Sequence, residues 1–264
     1  MSRDRPHRRS LLKGFAALGG VAASGCDRLS REPHFRSALD AANGLTYRAQ
    51  RVLIGADRLA PEYSEADISP VFHANGSTDP QDDEYLDLVG GHFADWRLKV
   101  HGLVERELSL SLADLRGLRA RTQITRHDCV EGWSCTGKWT GAPLAEVLSH
   151  AQVKPEARFV VFHCADTLGD SGGFSDIDPE NLRYYESIDL IDAAHPQTIL
   201  AYDMNGAPLT VAHGAPLRLR LERQLGYKMA KYIMRIELVR SFADLHGGRG
   251  GYWEDRGYEW YAGI

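Results

Sequence analysis

Arg126-His127-Asp128-Cys129-Val130-Glu131-Gly132-Trp133 is the stretch on which the reading of this chain turns. Residues 121–129 read as an extended segment, and Gly132, lacking a Cβ, permits a sharp turn just beyond it. Cys129 therefore stands where a strand ends. Arg126 and His127 lie just upstream, where positive charge would hold the sulfur as a thiolate, the form that binds metals or attacks carbon. Soft metals prefer such a ligand. A lone cysteine is also commonly a small buried hydrophobe. The local setting leaves metal ligand, nucleophile and core residue all open.

Outward from Cys129, the pattern is one of many short strands and a few short helices. Residues 96–101 alternate apolar and polar, as a half-buried strand does. Residues 110–118 read as a short helix, and Pro143 suits the first turn of a helix running through Leu148. Residues 158–162 are a buried-strand candidate, and residues 190–194 a short helix ended by Pro196. Residues 198–202 and 208–211 flank Asn205-Gly206, the pair that supplies the positive φ angles of a two-residue hairpin turn. Leu217-Arg218-Leu219-Arg220-Leu221 alternates again, and residues 233–239 form a last strand. The expected class is α+β, mixed β-sheets with short helices. There is neither the regular βαβ rhythm nor the glycine fingerprint of a dinucleotide fold. The tail from His246 onward is rich in Gly, Trp and Tyr, which suggests that it packs on the body.

A second candidate region is His213-Gly214-Ala215-Pro216-Leu217-Arg218 with Gly226-Tyr227-Lys228-Met229-Ala230-Lys231. Its glycines allow close backbone approach, and Arg218, Lys228 and Lys231 offer charge for a phosphate. By itself the pattern equally describes a strand, a turn and a strand with solvated bases.

The whole chain has 264 residues and a formal net charge of −5, the opposite of what a general nucleic-acid binder carries. Its four cysteines, Cys26, Cys129, Cys135 and Cys164, are too few and too unevenly spaced for a disulfide scaffold. A Cys135–Cys164 bridge is the one pairing considered, for an oxidising compartment. His7-Arg8-Arg9-Ser10-Leu11-Leu12-Lys13, then a mild apolar run to Ala23, has the layout of an export signal and resembles the twin-arginine type. Ala23-Ser24-Gly25-Cys26 resembles a lipoprotein cleavage site, with Cys26 the acylated residue. Residues 1–30 are thus read as an address, 31–69 as a polar lead-in with a short helix near Leu39, and 70–264 as the functional domain.

The ordered motifs Arg-x-x-Cys-Val-Glu-Gly-Trp-Ser, Trp-x-Gly-x-Pro-Leu, His-Pro-Gln-Thr, Asn-Gly-x-Pro-Leu and Gly-Ala-Pro-Leu-Arg-Leu, ending in Gly-Tyr-Lys, resemble the sulfite-oxidase superfamily. The likeness runs from about residue 70 to 239. It points to the small bacterial branch that includes periplasmic methionine sulfoxide reductase catalytic subunits. The resemblance implies a sulfite-oxidase-type molybdopterin fold enclosing molybdenum and one pterin dithiolene. Cys129 matches the metal-ligating cysteine, and Tyr184 resembles the active-site tyrosine, with Tyr185 a rival by a one-place shift. Phe72-His73-Ala74-Asn75 occupies the early pterin-contacting loop, and Cys164 falls where that branch has a contacting Thr. His213 stands where an Asn often lies, Arg218 matches the phosphate-binding Arg, and Met229, Ala230 and Lys231 match the stretch that holds the pterin phosphate. Arg126 is the candidate for attracting an anionic or strongly dipolar small-molecule substrate, with Trp133 shaping the pocket.

The resemblance further implies two-electron oxygen-atom transfer on sulfite, a sulfoxide or a related substrate. Electrons would pass to or from a separate membrane b-type or soluble c-type cytochrome, because the motifs leave room for no haem domain. A periplasmic location follows, tethered if Cys26 carries a lipid. Two other classes remain compatible with the residues. One is a hydrolase or transferase using Cys129 with His127 or His163; the other is a binding lipoprotein that has lost its metal.

Overall fold

The computed structural model describes residues 32–168 and 183–264. The leader-like segment and Cys26 lie outside these residues. Two compact units divide the chain, residues 1–54 and 55–264. The first is described by helix α1 (Pro33–Ile54), 22 residues where the sequence suggested only a short helix near Leu39.

In the second unit the strands are β1 (Leu98–Gly102), β2 (Leu108–Leu110), β3 (Arg121–Asp128), β4 (Ser134–Pro143), β5 (Phe159–Cys164), β6 (Tyr185–Asp189), β7 (Ile199–Met204), β8 (Ala207–Pro208), β9 (Arg218–Arg220) and β10 (Ile233–Val239). Short helices α2 (Asp83–Gly90), α3 (Leu112–Gly117), α4 (Leu144–Ala151) and α5 (Leu190–Ala193) join them. One sheet has the order β2-β1-β10-β5-β6, and the other β3-β4-β7-β8 with β9 also on β7. Mixed sheets with short helices make this the α+β architecture expected. The largest buried cluster draws Leu98, Val100, Phe162 and Ile236 from the first sheet, and Leu200, Leu217, Leu219 and Leu221 from around the second.

Local chemistry explains most boundaries. Helix α3 opens at Ser111, whose hydroxyl accepts from the Asp114 N–H (3.1 Å) while the Asp114 carboxylate accepts from the Ser111 N–H (2.8 Å), a reciprocal cap. Pro143 stands one residue earlier than expected, as the N-cap of α4. Asn205 and Gly206 take φ of 51° and 83°, so the β7–β8 turn forms as its sequence requires. Strand β4 escaped the sequence reading because Gly137 and Gly141 interrupt its apolar pattern. Gly141 is needed there: a Cβ would lie 2.2 Å from the Leu200 carbonyl oxygen of the neighbouring strand. The aromatic tail packs on the body, with Tyr252 5% exposed and its N–H donating to the Tyr185 carbonyl (3.0 Å).

Candidate active site

Strands β3 and β4 pair antiparallel from Arg121↔Gly141 to Asp128↔Ser134, leaving residues 129–133 as the loop of a hairpin. The Cys129 N–H donates to the Trp133 carbonyl (2.9 Å), the Gly132 N–H returns to the Cys129 carbonyl (3.0 Å), and Gly132 takes φ of 91°. Cys129 is thereby held at the first loop position, facing a pocket of about 650 Å³. Asn75, Tyr184, Met229 and Lys231, all candidates from the sequence, line the same pocket. So do Glu131, Asp166, Tyr227, Trp253 and Tyr258, which were not anticipated. The composition of the tail announced that Trp253 and Tyr258 would pack somewhere, but not against which residue.

Arg126 is not among the described residues lining the pocket. Neighbouring residues on a strand point to opposite faces. His127 faces inward and is fully buried, so Arg126 faces out, its side chain 54% exposed and its Nε donating to the Asp128 carboxylate (3.0 Å). The thiolate expectation fails for the same reason. Burial pushes the Cys129 thiol up, and the Glu131 charge adds to the rise. His127 is held well below the usual histidine range by burial, then by Arg220, Arg218 and Lys231, and is neutral. No local cation makes Cys129 a thiolate; a soft metal ion displacing the proton would.

Behind the pocket lies a basic cradle. Arg218 is fully buried, over the Trp139 ring (4.8 Å), with its Nη1 donating to the His213 carbonyl (3.0 Å). Its Nε and Nη2 have no hydrogen-bond partner among the described residues, and burial, then Arg220, pulls its pKa down to about 9. Lys231 is 5% exposed and donates to the carbonyls of Asn75 and Ser77 (2.6 Å each). Burial, then Arg218, lowers its pKa to about 7. Gly214, at φ 101°, passes so close that a Cβ would sit 2.9 Å from the Lys231 side chain.

Phe72 is buried edge-on against Trp139 (5.2 Å), and its carbonyl lies 3.1 Å from His213 Nε2. Among the described residues the Asn75 Oδ1, an acceptor, and His127 Nε2 are buried without partners. Buried unpaired polar groups and cations without carboxylates are costly unless a ligand completes them. This set of donors and an acceptor fits the phosphate and polar edges of a molybdopterin, with the thiol of Cys129 available as a soft ligand.

Other candidates fall less centrally. His73 is exposed with its ring beside Trp133 (5.4 Å), Ala74 is half-buried, and neither lines the pocket. Ala230 is buried in the cradle, its carbonyl accepting from the Leu219 N–H (2.8 Å). Cys164 is buried at the end of β5 and lines a separate depression together with His163 and Tyr185. Cys135 and Cys164 are both free and lie on different sheets, so the considered bridge is not formed. Tyr184 rather than Tyr185 borders the Cys129 pocket, its hydroxyl donating to the Tyr227 carbonyl, whereas the Tyr185 hydroxyl donates to Asp255 (2.5 Å).

Lys228, also offered as a phosphate ligand, is committed elsewhere. Its Nζ donates to Glu186 and to Glu254 (2.5 Å) in a buried cluster. A Cys–His nucleophile is not assembled either. The Nδ1 of His127 accepts from Arg220 Nη1 (3.1 Å), and His163 lies on the sheet that does not carry the Cys129 hairpin, its Nε2 2.9 Å from Glu237 of the neighbouring strand.

Residues 88–245 match the family described as the oxidoreductase molybdopterin binding domain. Azospira oryzae YedZ1, named provisionally as a protein-methionine-sulfoxide reductase subunit, is 36% identical over 261 residues, 98% of this chain and 89% of that protein. The protein-methionine-sulfoxide reductase catalytic subunit MsrP of Gluconobacter oxydans is 32% identical over 244 residues, 88% of this chain and 69% of its own length. For MsrP of Xanthomonas campestris pv. campestris the figures are 38% over 152 residues, 56% of this chain and 46% of the relative. The chain thus spans about half the length of that relative. A crystal structure of the sulfane dehydrogenase SoxCD from Paracoccus pantotrophus aligns with a TM-score of 0.46 and 23% identity, covering 56% of this chain and 39% of that one. With a matched domain covering more than half of its length and a relative matched almost end to end, the chain belongs to the oxidoreductase molybdopterin binding domain family of the sulfite oxidase superfamily, enzymes whose cofactor is molybdopterin.

Proposed function

We propose that this protein is an exported reductase of organic sulfoxides of the methionine sulfoxide kind, supplied with electrons by a separate cytochrome. The observation that carries the reading is the lining of the Cys129 pocket. Tyr184, Tyr227, Trp253 and Tyr258 offer aromatic faces, and Met229 a thioether, while the carboxylates of Glu131 and Asp166 also border it. Arg126 points away, and Lys231 is engaged by two carbonyls. A neutral sulfoxide, apolar around a strong S–O dipole, packs well on aromatic rings. A sulfite dianion would face carboxylates with little free positive charge. The names carried by the Azospira and Gluconobacter relatives support the same direction. The leader-like residues 7–23 support export, and Ala23-Ser24-Gly25-Cys26 supports a lipid tether in the periplasm.

The net reaction is R2SO + 2H⁺ + 2e⁻ → R2S + H2O. When bound, the cofactor supplies the two-electron redox couple for the oxygen transfer. Cys129 would ligate the metal through sulfur, losing the proton that burial otherwise keeps on it. Arg218, Lys231 and the Met229–Ala230 backbone would hold the pterin phosphate, with Asn75 and Phe72 along the cofactor. Burial keeps the Tyr184 phenol well above its ordinary pKa, so it stays neutral, and it would orient the substrate oxygen by turning its one proton from the Tyr227 carbonyl to the substrate.

The test is purification of protein exported by its own leader from a molybdenum-replete host. Molybdenum and pterin are quantified, then methionine sulfoxide reduction by reduced benzyl viologen is set against sulfite oxidation by ferricyanide. The expected result is about one metal per chain, lost in Cys129→Ser, and turnover of the sulfoxide. Metal-free protein, or a holoprotein that turns over sulfite alone, would sink the reading.

A further inference from the structure

Helix α1 carries an interaction surface that the catalytic reading does not use. At about 100° per residue, Leu39, Ala42, Leu45, Ala49, Val52 and Leu53 fall along one side of the helix, together with Phe35. The large members of that stripe are exposed, Leu45 at 68%, Val52 at 83% and Leu53 at 80%. Exposed leucine and valine are unremarkable singly, but a continuous stripe of them marks a binding surface. The other side holds Asn43, Tyr47, Gln50, Arg48 and Arg51, with the Arg51 guanidinium over the Tyr47 ring (5.3 Å). Counted over the helix, three arginines stand against one aspartate, a net charge of +2 in a chain whose total is −5.

We infer that α1 is a membrane-surface helix that lies flat on an anionic bilayer, its apolar stripe among the acyl chains and its arginines at the headgroups. The charge and the place of α1 favour lipid over another occupant. It is net basic, and it begins seven residues beyond Cys26, where the sequence resembles a lipoprotein cleavage site, so a chain acylated there would deliver α1 to the membrane surface. No helix among the described residues is long and apolar enough to cross a membrane. One acyl signal gives only marginal anchoring, and a basic amphipathic helix is the kind of second signal that stabilises it.

The experiment uses the full chain as Cys26→Ser, so that no lipid contributes. Cosedimentation with vesicles of phosphatidylglycerol and phosphatidylethanolamine (about 1:3) is compared with vesicles of phosphatidylcholine. Binding to the anionic vesicles is expected, weakened by salt, and reduced about tenfold or more by Leu45→Glu with Leu53→Glu. Arg48→Ala with Arg51→Ala should remove the preference for anionic vesicles while leaving residual binding. Cofactor content and sulfoxide turnover should be unchanged in both double variants, since none of the four residues is among those lining the Cys129 pocket. Equal vesicle binding by parent and the Leu45/Leu53 variant overturns the inference. So does absence of binding together with a concentration-dependent dimer that the same variant dissolves, which would assign the stripe to a second copy.

Discussion

Two pairs of buried cations, each pair only a few residues apart, have opposite surroundings. Arg220 donates through Nε (2.9 Å) and Nη2 (2.6 Å) to the Glu222 carboxylate, whereas Arg218, two positions earlier and equally buried, makes no ion pair among the described residues. Lys228 sits between Glu186 and Glu254, whereas Lys231 donates chiefly to backbone carbonyls. Their proton affinities follow. Burial pulls Lys228 down, but the two glutamates outweigh it and the net shift is upward, while Lys231 falls to about 7. A buried cation with its carboxylate is part of the scaffold. One without is a candidate for a binding site, because the charge is matched only when an anion arrives. The contrast separates residues that hold the protein together from those proposed to hold the pterin phosphate.

Exchanging the lysines should expose that division most strongly. Lys228→Met leaves two buried glutamates without a counter-charge and should lower unfolding free energy by about 3–5 kcal/mol, measured by urea denaturation of cofactor-free protein. Lys231→Met should leave that stability unchanged or higher while impairing cofactor retention. Equal destabilisation by both would break the comparison.

Arg218→Met should weaken molybdopterin retention by about 1.5–3 kcal/mol, on the order of 10–100-fold, without loss of cofactor-free stability. Gel filtration followed by pterin fluorescence reads the first, and denaturation the second.

The depressed Lys231 pKa has a pH signature. Folded Lys231 releases its proton near pH 7 and the unfolded chain near 10.4, so the unfolded state binds more protons between those values. Cofactor-free protein should therefore gain stability as pH rises from 7 toward 10, by on the order of 1 kcal/mol per unit. Lys231→Met should flatten the rise, which melting curves across that range will read.

The smallest effect belongs to Arg126→Ala. An exposed ion pair is worth about 0–1 kcal/mol, so stability should hardly move. The KM for methionine sulfoxide should be unchanged too, and a large increase would return Arg126 to the substrate path.

Much of this was legible in the order of residues, and the losses have identifiable causes. Strand β10 and the Asn205-Gly206 turn appeared where alternation and turn chemistry put them. Strand parity allows only one of Arg126 and His127 to face inward, but the sequence does not say which, and Arg126, expected on the substrate path, is the one that faces out. Leu217–Leu221 misled in a specific way. Alternation suggested solvated arginines, yet Arg218 and Arg220 are fully exposed to neither side, because leucines fill the core face and the cradle covers the other. A two-period pattern reports that the faces differ, not that one of them is wet.

By itself, the sequence determined the α+β class, the Asn205-Gly206 turn and the extended segment that ends at Cys129, because each depends on neighbours close along the chain. Only the tertiary structure decided which buried base is structural and which is free for a ligand, since Glu186 and Glu254 reach Lys228 from 42 and 26 residues away. It alone brought Trp253 and Tyr258 of the tail to the pocket of Cys129. Charge pairing and desolvation depend on distance in space, and no local pattern encodes which distant carboxylate or ring will arrive.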